Sequence, residues 1–342
     1  MKLEEFDYPL PPSLIAQYPP PERGQSRLMV LHRDRGEIEH RTFQDIPDFL
    51  RAGDLLVTNK SRVLPVRLIG RKEDGKKCEF LLIPPRNGTQ RVWEALVKDS
   101  KKMKPGTRVR FGEELYGVVE EVTQGKGKLR FPDHIAVTDA LQKIGRIPLP
   151  PYIKREDEPL DRERYQTIFA ESDGSIACPT AGLHFTNDLV PSIQAHGVKM
   201  TSITLHVGIG TFAPVRTDQV EEHHMEAEWI EISDETKQAI EKTRQTGGRV
   251  IAVGTTTTRT LESLVDSEGH IQPGSGLTSL FIRPPYRFRV IDGLITNFHL
   301  PKSTLVMLVS ALAGKDLLMK AYREAVKEKY RFYSYGDAML IL

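Results

Sequence analysis

Four short segments in the second half of this 342-residue chain combine glycine, threonine and histidine at high density. Such segments suit loops that bring backbone N–H groups, hydroxyls and imidazoles up to a ligand. Three of them stand next to predicted strands, and mixed α/β proteins usually bind ligands at strand ends. Tight turns and helix caps could account for any one segment, but they account poorly for all four. We therefore expect one composite ligand site built from residues 178–186, 205–212, 253–260 and 296–304.

Five side chains in or near these segments could transfer protons, because imidazole and carboxylate groups are the usual general acids and bases. Each of them, taken alone, is more often a hydrogen-bonding residue of the framework. The sequence does not divide the roles of acid and base among them. The candidates are His184, His206, His223, Glu228 and His299.

Metal and thiol chemistry are weaker interpretations of the same segments. The run from His223 to Glu228 lacks the HExxH spacing of a zinc site, and its adjacent histidines point in different directions. Cys178 stands in no thiol-enzyme signature, and we interpret it as a small residue in a tight turn. We therefore expect neither a bound metal nor a catalytic thiol.

The composition is that of an ordinary globular protein, with 39% hydrophobic and 27% charged residues. Two cysteines without CxxC spacing, an acidic N-terminal segment and the absence of a long apolar run predict a cytoplasmic protein with no membrane span. No GxxxxGKS/T motif occurs, and Gly208 and Gly210 supply only a fragment of GxGxxG. P-loop and Rossmann nucleotide sites are therefore disfavoured.

Positive charge is concentrated in one part of the chain. Residues 60–110 contain fifteen lysines and arginines against five acids, a net charge of +10 in a protein whose total is +2. Lysines on exposed strands can simply protect sheet edges. An excess this large nevertheless favours a polyanionic partner, with nucleic acid the leading candidate.

The distribution of apolar runs predicts a mixed α+β protein of two domains. Residues 65–147 contain short β-rich runs without helix signals, which predicts an inserted all-β barrel. Residues 1–64 and 148–342 mix helix and strand signals and form the main α/β domain.

Two helices and a strand of the main domain are predicted at specific residues. Ser233 is a good N-cap for a helix at Asp234–Gln245. A second helix is predicted at residues 163–170, and a strand at residues 277–282.

Seven ordered motifs, which run from one end of the chain to the other, resemble the S-adenosylmethionine:tRNA ribosyltransferase-isomerase family. Two positions depart from the family pattern, because Cys178 stands in place of alanine and Glu226 in place of histidine. The motifs are Asn59-Lys-Ser-Arg-Val-Leu-Pro-Val-Arg67, Pro179-Thr-Ala-Gly-Leu-His-Phe-Thr186, His206-Val-Gly-Ile-Gly-Thr-Phe212, His223-His-Met-Glu-Ala-Glu228, Gly254-Thr-Thr-Thr-Thr-Arg259, Asn297-Phe-His-Leu-Pro-Lys-Ser-Thr304 and Tyr333-Ser-Tyr-Gly-Asp-Ala-Met339.

The resemblance implies that S-adenosylmethionine acts as a ribosyl donor. The ribosyl group would be transferred and isomerised onto 7-aminomethyl-7-deazaguanine at the wobble position of tRNA. The products would be epoxyqueuosine-tRNA, adenine and methionine. S-adenosylmethionine is then a co-substrate, with no prosthetic group or metal, and we expect a monomer. An S-adenosylmethionine-dependent RNA methyltransferase and a non-catalytic RNA-binding protein stay open as alternatives.

Within this resemblance, loop N–H groups and threonine hydroxyls are expected to hold the methionine carboxylate and the ribose, with Arg259 as a carboxylate partner. Basic residues are expected to contact tRNA phosphates and to make binding sensitive to salt. The expected substrate-binding residues are Thr180, Gly182, Gly208, Gly210, Thr211, Thr255, Thr256, Thr257, Arg259, Asn297 and Lys302. The expected tRNA-binding residues are Arg62, Arg67, Lys98, Lys101, Lys102 and Lys104.

Overall fold

The architecture is that of a computed structural model, which describes residues 1–85, 91–113, 115–212, 215 and 217–342, without the side chains of residues 211 and 212. Within these residues the chain forms seventeen strands and seven α-helices. The strands are β1 (Arg27–His32), β2 (Glu37–Thr42), β3 (Leu55–Asn59), β4 (Ser61–Val63), β5 (Arg67–Lys72), β6 (Lys77–Ile83), β7 (Val92–Val97), β8 (Arg108–Arg110), β9 (Tyr116–Thr123), β10 (Lys126–Arg130), β11 (Ser172–Ser175), β12 (Lys199–His206), β13 (Glu228–Ile232), β14 (Val250–Val253), β15 (Gly274–Thr278), β16 (Gly293–Asn297) and β17 (Ala338–Ile341). The helices are α1 (Val137–Ile144), α2 (Pro159–Arg164), α3 (Leu189–Ala195), α4 (Asp234–Gln245), α5 (Thr255–Ser263), α6 (Thr304–Ala313) and α7 (Lys315–Lys327).

Nine of the described strands form a mixed sheet in the order β15–β13–β12–β3–β14–β16–β17–β1–β2. Strands β12, β3, β14 and β16 run parallel to one another. Every residue of β3, β14 and β16 is buried, as expected for strands whose two faces are both covered. The carboxyl ends of the four parallel strands therefore meet at one edge of the sheet, which we call the carboxyl edge. It lies at Asn59, His206, Val253 and Asn297.

Strands β5 to β10 form a separate closed barrel in the order β10–β7–β6–β5–β8–β9. Burial alternates along β6 and β7, so that alternate side chains such as Phe80 and Trp93 fill the interior. Arg67 and Arg146 exchange backbone hydrogen bonds of 3.1 and 2.8 Å, so the two ends of this segment meet. The predicted fold class, a mixed α and β protein with a β-barrel, is confirmed, while the domain boundaries at 65 and 147 stay a prediction.

The segment between these boundaries is not entirely β. Helix α1 follows the last barrel strand, and its Val137 and Leu141 pack into the core of the barrel. Residues four positions apart lie on the same face of a helix, which is how these two apolar side chains reach the barrel together. The prediction of an all-β insert was wrong for this helix.

Two predicted elements of the main domain begin and end elsewhere. Helix α2 begins before the predicted range 163–170 and overlaps only its first two residues, because Pro159 occupies the first turn and Asp161 accepts a 2.8 Å hydrogen bond from the backbone N–H of Glu158. Strand β15 ends at Thr278 instead of residue 282, because its pairing partner β13 begins opposite that residue, at Glu228. Helix α4 spans the predicted residues, and Ser233 Oγ accepts a 3.3 Å hydrogen bond from Thr236 N. In the described part of the chain, no helix is long and apolar enough to cross a membrane.

Candidate active site

A cleft opens at the carboxyl edge, and its empty space, open solvent included, is about 560 Å³. We call it the first cleft. All four predicted segments contribute lining residues, and Val207 is the contribution of the segment 205–212. None of its lining residues in the described structure is Asp, Glu, Lys or Arg. The lining residues are Tyr152, Ala177, Cys178, Pro179, Thr180, Ala181, Val207, Gly254, Thr255, Thr256, Thr296, Asn297, His299, Leu305, Tyr333 and Ser334.

Asn297 organises one wall of the first cleft. Its Nδ2 lies 3.1 Å from His184 Nε2 and donates to the Tyr333 carbonyl at 3.0 Å, while its Oδ1 accepts from Thr180 Oγ1 at 3.0 Å. An amide nitrogen can only donate, so His184 Nε2 must be the acceptor. The proton of His184 then sits on Nδ1, 2.8 Å from Ser26 Oγ. The tautomer of His184 thus follows from the orientation of Asn297.

His184 is neutral and lies behind the wall of the cleft. Its side chain is buried, and its ring packs 5.1 Å from the ring of Phe43. Burial, with a smaller effect of the Arg23 cation, lowers the pKa of His184 to about 3. The geometry suits a residue that positions Asn297.

His299 lies at the first cleft itself. Its Nε2 is 2.8 Å from Thr296 Oγ1, and its backbone N–H donates to Tyr322 Oη at 3.0 Å. Burial lowers the pKa of His299 to about 3, so the imidazole is neutral at physiological pH. A neutral imidazole at a cleft can accept a proton from a bound ligand.

The start of helix α5 forms the floor of the first cleft. Gly254 is its N-cap, with φ of +97° and ψ of 154°, a conformation that is essentially restricted to glycine. The threonines at positions 255 and 256 follow at the cleft, and Asn59 Nδ2 donates to Thr256 Oγ1 at 3.3 Å. Free N–H groups in the first turn of a helix attract anions. This floor can therefore bind a carboxylate without a cationic side chain.

Two tyrosines form an aromatic wall of the first cleft. Tyr152 and Tyr333 meet edge to face, with ring centroids 3.8 Å apart. Tyr333 adopts a left-handed backbone conformation with φ of +75°, which is unusual for a bulky residue. The hydrogen bond from Asn297 to the Tyr333 carbonyl supports this conformation. Such rings can bind a purine by stacking or a sulfonium by cation–π attraction.

A second cleft, of about 770 Å³, lies between the barrel and the large sheet. Pro84 and Pro85 bound it on the barrel side, and His206 and Trp229 on the side of the sheet. The two rings stack with an interplanar angle of 16° and a centroid distance of 5.1 Å. Val207 lines both clefts, so they are neighbours across one buried side chain.

His206 is held at the second cleft by one nitrogen. Its Nδ1 lies 2.9 Å from Ser61 Oγ, and its ring rests against Gly174, where a Cβ atom would approach Nε2 to 2.7 Å. Burial lowers the pKa of His206, with a smaller opposing effect of the Asp173 carboxylate. His206 is therefore a mainly neutral imidazole fixed in orientation.

Glu228 forms a buried ion pair beneath the second cleft. Its carboxylate accepts a hydrogen bond from Nη1 of Arg259 and another, at 2.9 Å, from the backbone N–H of Gly208. Arg259 also donates from Nε to the Leu280 carbonyl at 3.0 Å. Because both side chains are about 5% exposed, removing one partner would leave the other charged and buried.

Comparison with known proteins assigns the chain to a family. The profile of the family described as "Queuosine biosynthesis protein" matches residues 3–341. The chain is 52% identical over 345 residues to S-adenosylmethionine:tRNA ribosyltransferase-isomerase of Pelotomaculum thermopropionicum and 50% identical over 343 residues to that of Syntrophotalea carbinolica, with 100% of each chain covered. The chain belongs to the queuosine biosynthesis protein family. The crystal structure of S-adenosylmethionine tRNA ribosyltransferase from Thermotoga maritima is 40% identical, with a TM-score of 0.57 and coverage of 99% of this chain and 100% of that one.

Membership of the queuosine biosynthesis family confirms the resemblance drawn from the seven motifs. The structure brings several of the predicted residues together. Thr180, Thr255, Thr256, Asn297 and His299 line the first cleft, whereas His206, Gly208 and Glu228 line the second. Their individual roles stay predictions.

Other predicted substrate residues lie elsewhere. Gly182 is buried, and a Cβ atom added there would lie 2.9 Å from Thr167 Cγ2. Thr257 Oγ1 donates to the carbonyl of Val253, four residues earlier, at 2.8 Å. Lys302 pairs with Glu4 and Asp7 at 2.9 and 3.0 Å. These three residues line neither cleft.

Two of the remaining predicted site residues, His223 and Gly210, also line neither cleft. His223 packs edge to face on Phe281 at 5.4 Å, and burial, with a smaller effect of His224, lowers its pKa. A Cβ at Gly210 would approach Glu226 Cβ to 2.9 Å. The side chain of Thr211 lies outside the described residues. Among the residues that the structure describes, no group of three or more His, Cys, Asp or Glu could hold a metal ion.

The predicted tRNA-binding residues fall into three groups. Arg67 pairs with Glu79 at 2.7 Å and with Asp157 at 3.3 Å, so its charge serves contacts within the protein. Arg62 and Lys98 are exposed but lie 3.4 and 3.5 Å from carboxylates. Lys101, Lys102 and Lys104 are exposed, and no carboxylate of the described chain lies within ion-pair distance of them.

Several residues that build the clefts have no individual role predicted from the sequence. Asn59 and Tyr333 belong to two of the seven family motifs, and this membership was the available sign that they lie at the site. Asn59 bridges strand β12 and helix α5, through 3.0 Å to the Leu205 carbonyl and 3.3 Å to Thr256 Oγ1. Tyr152 and Trp229 look like ordinary core aromatics in the sequence, and only folding brings them to the clefts.

Proposed function

We propose that this chain transfers and isomerises the ribosyl group of S-adenosylmethionine onto 7-aminomethyl-7-deazaguanine at the wobble position of tRNA, releasing adenine and methionine. The observation that carries the proposal is the first cleft, an uncharged pocket with an aromatic wall, hydroxyl groups and a helix N-terminus. Membership of a family whose named relatives are S-adenosylmethionine:tRNA ribosyltransferase-isomerases supports it.

The parts of S-adenosylmethionine match the parts of the first cleft. Tyr152 and Tyr333 face the adenine or the sulfonium, for which aromatic rings are good partners. The hydroxyls of Thr180 and Thr256 suit the ribose, and the N-terminus of α5 suits the methionine carboxylate. Arg259, which was expected to bind that carboxylate, is instead paired with Glu228.

The reaction needs a base near the ribose. The sulfonium acidifies the C5′ protons, and removal of one of them gives an ylide whose collapse expels adenine. His299 is the proton-transfer candidate that lines the first cleft; its imidazole is neutral there, and burial makes it a weaker base than a free imidazole. Cys178 also lines the cleft, but burial raises the pKa of its thiol, so it remains an inert thiol.

The barrel supplies the charge needed for tRNA. Lys101, Lys102 and Lys104 offer exposed cations, and Arg71 lies directly opposite Arg110 on paired strands. Like charges that face each other across a sheet repel, and a phosphate between them would relieve that repulsion. A monomeric state and a cytoplasmic location stay predictions from the sequence.

Product analysis tests the proposed function. The protein is incubated with S-adenosylmethionine and tRNA carrying 7-aminomethyl-7-deazaguanine, and nucleosides and small molecules are analysed by mass spectrometry. We expect epoxyqueuosine, adenine and methionine, with no turnover of tRNA that carries guanine at the same position. S-adenosylhomocysteine would point to a methyltransferase, and tRNA binding without any product would point to a binding protein; either result would reject the proposal.

A further inference from the structure

The second cleft has a chemistry opposite to that of an anion site. Its charged lining residues are the carboxylates Asp173 and Glu228, and no lysine or arginine of the described chain lines it. The side chain of Asp173 is 63% exposed, so it can reach a ligand in the cleft. Each carboxylate is paired with an arginine outside the lining, Asp173 with Arg62 at 3.4 Å and Glu228 with Arg259. The cleft therefore offers hydrogen-bond acceptors without a lining cation, and it favours hydrogen-bond donors over a phosphate or the methionine carboxylate.

A neutral imidazole adds a hydrogen-bonding nitrogen to this cleft, which is an acceptor in the tautomer whose proton lies on Nδ1 and is donated to Ser61 Oγ. His206 lines it, and Nδ1 is the nitrogen of its ring that contacts Ser61. Trp229 stacks on the same imidazole and offers its half-exposed indole as an apolar surface. A planar base with donor groups on its edges fits such a combination of acceptors and aromatic surface.

The position of the second cleft relates it to both substrates. Val207 separates it from the first cleft, and Asn59 connects their walls, because Asn59 contacts Thr256 at 3.3 Å and the backbone N–H of Ser61 at 3.0 Å. The barrel, which carries the excess of positive charge, forms the opposite wall through Pro84 and Pro85. A base delivered by RNA bound along the barrel would therefore arrive next to the first cleft.

We infer that the second cleft receives the flipped-out acceptor base of the tRNA, a 7-deazaguanine bearing an aminomethyl cation, and that Asp173 and His206 select it. This inference rests on the proposed function. A guanine-type edge presents N1–H and N2–H donors, and the aminomethyl group adds an ammonium, all of which need acceptors. Guanine lacks the ammonium, so the carboxylate distinguishes the modified base from its unmodified counterpart.

Binding of two matched tRNAs tests this inference. They differ at the wobble position, where one carries 7-aminomethyl-7-deazaguanine and the other guanine. Wild type is expected to prefer the modified tRNA, and Asp173→Asn to reduce that preference about tenfold, as removal of a hydrogen bond to a charged group does. In Asp173→Asn, affinity for S-adenosylmethionine, measured by calorimetry, and affinity for the guanine tRNA are expected to stay within about twofold. His206→Gln alters the contact with the edge that the two bases share and is expected to weaken binding of both tRNAs alike.

Two further variants act as controls. Asp173→Glu keeps the carboxylate and is expected to retain most of the preference, whereas Thr180→Val in the first cleft is expected to weaken S-adenosylmethionine binding and leave the preference intact. Asp173 is exposed, so its variants remain informative even if His206→Gln fails to fold.

The outcomes separate this inference from the proposed function. Loss of S-adenosylmethionine affinity with an unchanged tRNA preference in Asp173→Asn would assign the second cleft to the donor and overturn the inference. A wild type without any preference would overturn it too. A wild type that releases no adenine would reject the proposed function, yet its preference for the modified tRNA would still support the pocket.

Discussion

At the scale of single residues, Asn297 is the centre of the first cleft. It joins Thr180, His184 and the Tyr333 carbonyl, and each of these contacts uses a different hydrogen or lone pair of the amide. His184 affects the cleft through this amide, since its own ring is buried and neutral. It is a positioning residue, whereas His299 is the candidate that can touch the ligand.

The isosteric substitution Asn297→Asp should disrupt this centre. A carboxylate cannot donate to the Tyr333 carbonyl, so that hydrogen bond is lost, and a hydrogen bond with His184 requires the imidazole proton to move from Nδ1 to Nε2. We expect the free energy of unfolding to fall by about 1–3 kcal/mol and adenine release to fall at least about tenfold. Thr180→Val, which removes one of the three contacts, is the matched control and should have a smaller effect on stability. Equal effects of the two substitutions, measured by urea unfolding, would contradict the central position of Asn297.

At the scale of elements, helix α5 depends on a glycine at its start. Gly254 is the N-cap, and its backbone conformation aims the first turn of the helix at the cleft. Thr257 and Thr258 bond back to carbonyls one turn earlier, which leaves the threonines at 255 and 256 to line the cleft. A run of four threonines is thus divided by helix geometry into two that line the cleft and two whose hydroxyls bond to preceding backbone carbonyls.

Gly254→Ala should weaken S-adenosylmethionine binding. A Cβ atom is strained at φ of +97°, by about 1–3 kcal/mol, and relief of the strain would turn the first helical turn away from the cleft. We expect about tenfold weaker binding by calorimetry. Gly247→Ala is the control, because Gly247 also has a positive φ, of +74°, but lies exposed with nothing within 4 Å of a Cβ. If the control weakened binding equally, the effect would come from general destabilisation.

At the scale of the whole molecule, the two proposed tasks, donor binding and tRNA binding, fall on different parts of the fold. The large sheet holds the first cleft, the barrel carries the exposed cations, and the second cleft lies at their junction. Donor binding and tRNA affinity should therefore respond to different substitutions.

Charge reversal on the barrel should weaken tRNA binding through its salt dependence. In Lys101→Glu/Lys102→Glu, the slope of log K against log salt should decrease in magnitude by about 0.7–0.9 for each phosphate that the protein no longer neutralises. Adenine release at saturating tRNA should be unchanged. Lys320→Glu, at an exposed position of α7, makes a suitable comparison and should leave the slope as in wild type. An unchanged slope in the double variant would place the tRNA interface elsewhere.

Buried neutral histidines should make the whole fold sensitive to acid. His184 has a pKa lowered from 6.5 to about 3, so below pH 6.5 the unfolded chain binds a proton that the folded chain does not. The free energy of unfolding therefore falls as the pH drops from 6.5 towards 3, and the effect is absent above that range. Relative to His184→Gln, which cannot titrate, wild type should lose about 2 kcal/mol more between pH 7 and pH 5 in urea unfolding. Parallel pH profiles would show that His184 is protonated in the folded protein.

Local patterns predicted much of the architecture. The N-cap Ser233 and the alternating strands of the barrel depend on neighbouring residues, so the sequence reveals them directly. The helix predicted at residues 163–170 begins earlier, because Asp161 and Glu158 form a capping contact at its start. Helix α1 was missed because its two apolar anchors match a surface that exists only once the barrel has closed.

The sequence by itself determined the family, the two-part fold and the segments that supply the site, because ordered motifs and local periodicity are properties of neighbouring residues in the chain. Only the tertiary structure decided which side chains face a ligand. Of the five proton-transfer candidates, His299 faces the first cleft, His206 and Glu228 the second, His184 lies behind Asn297, and His223 lies apart. The reason is physical: burial and hydrogen bonds between residues as distant as Asn59 and Thr256 set the tautomer, the charge and the direction of each group. Such contacts leave no mark in the local sequence.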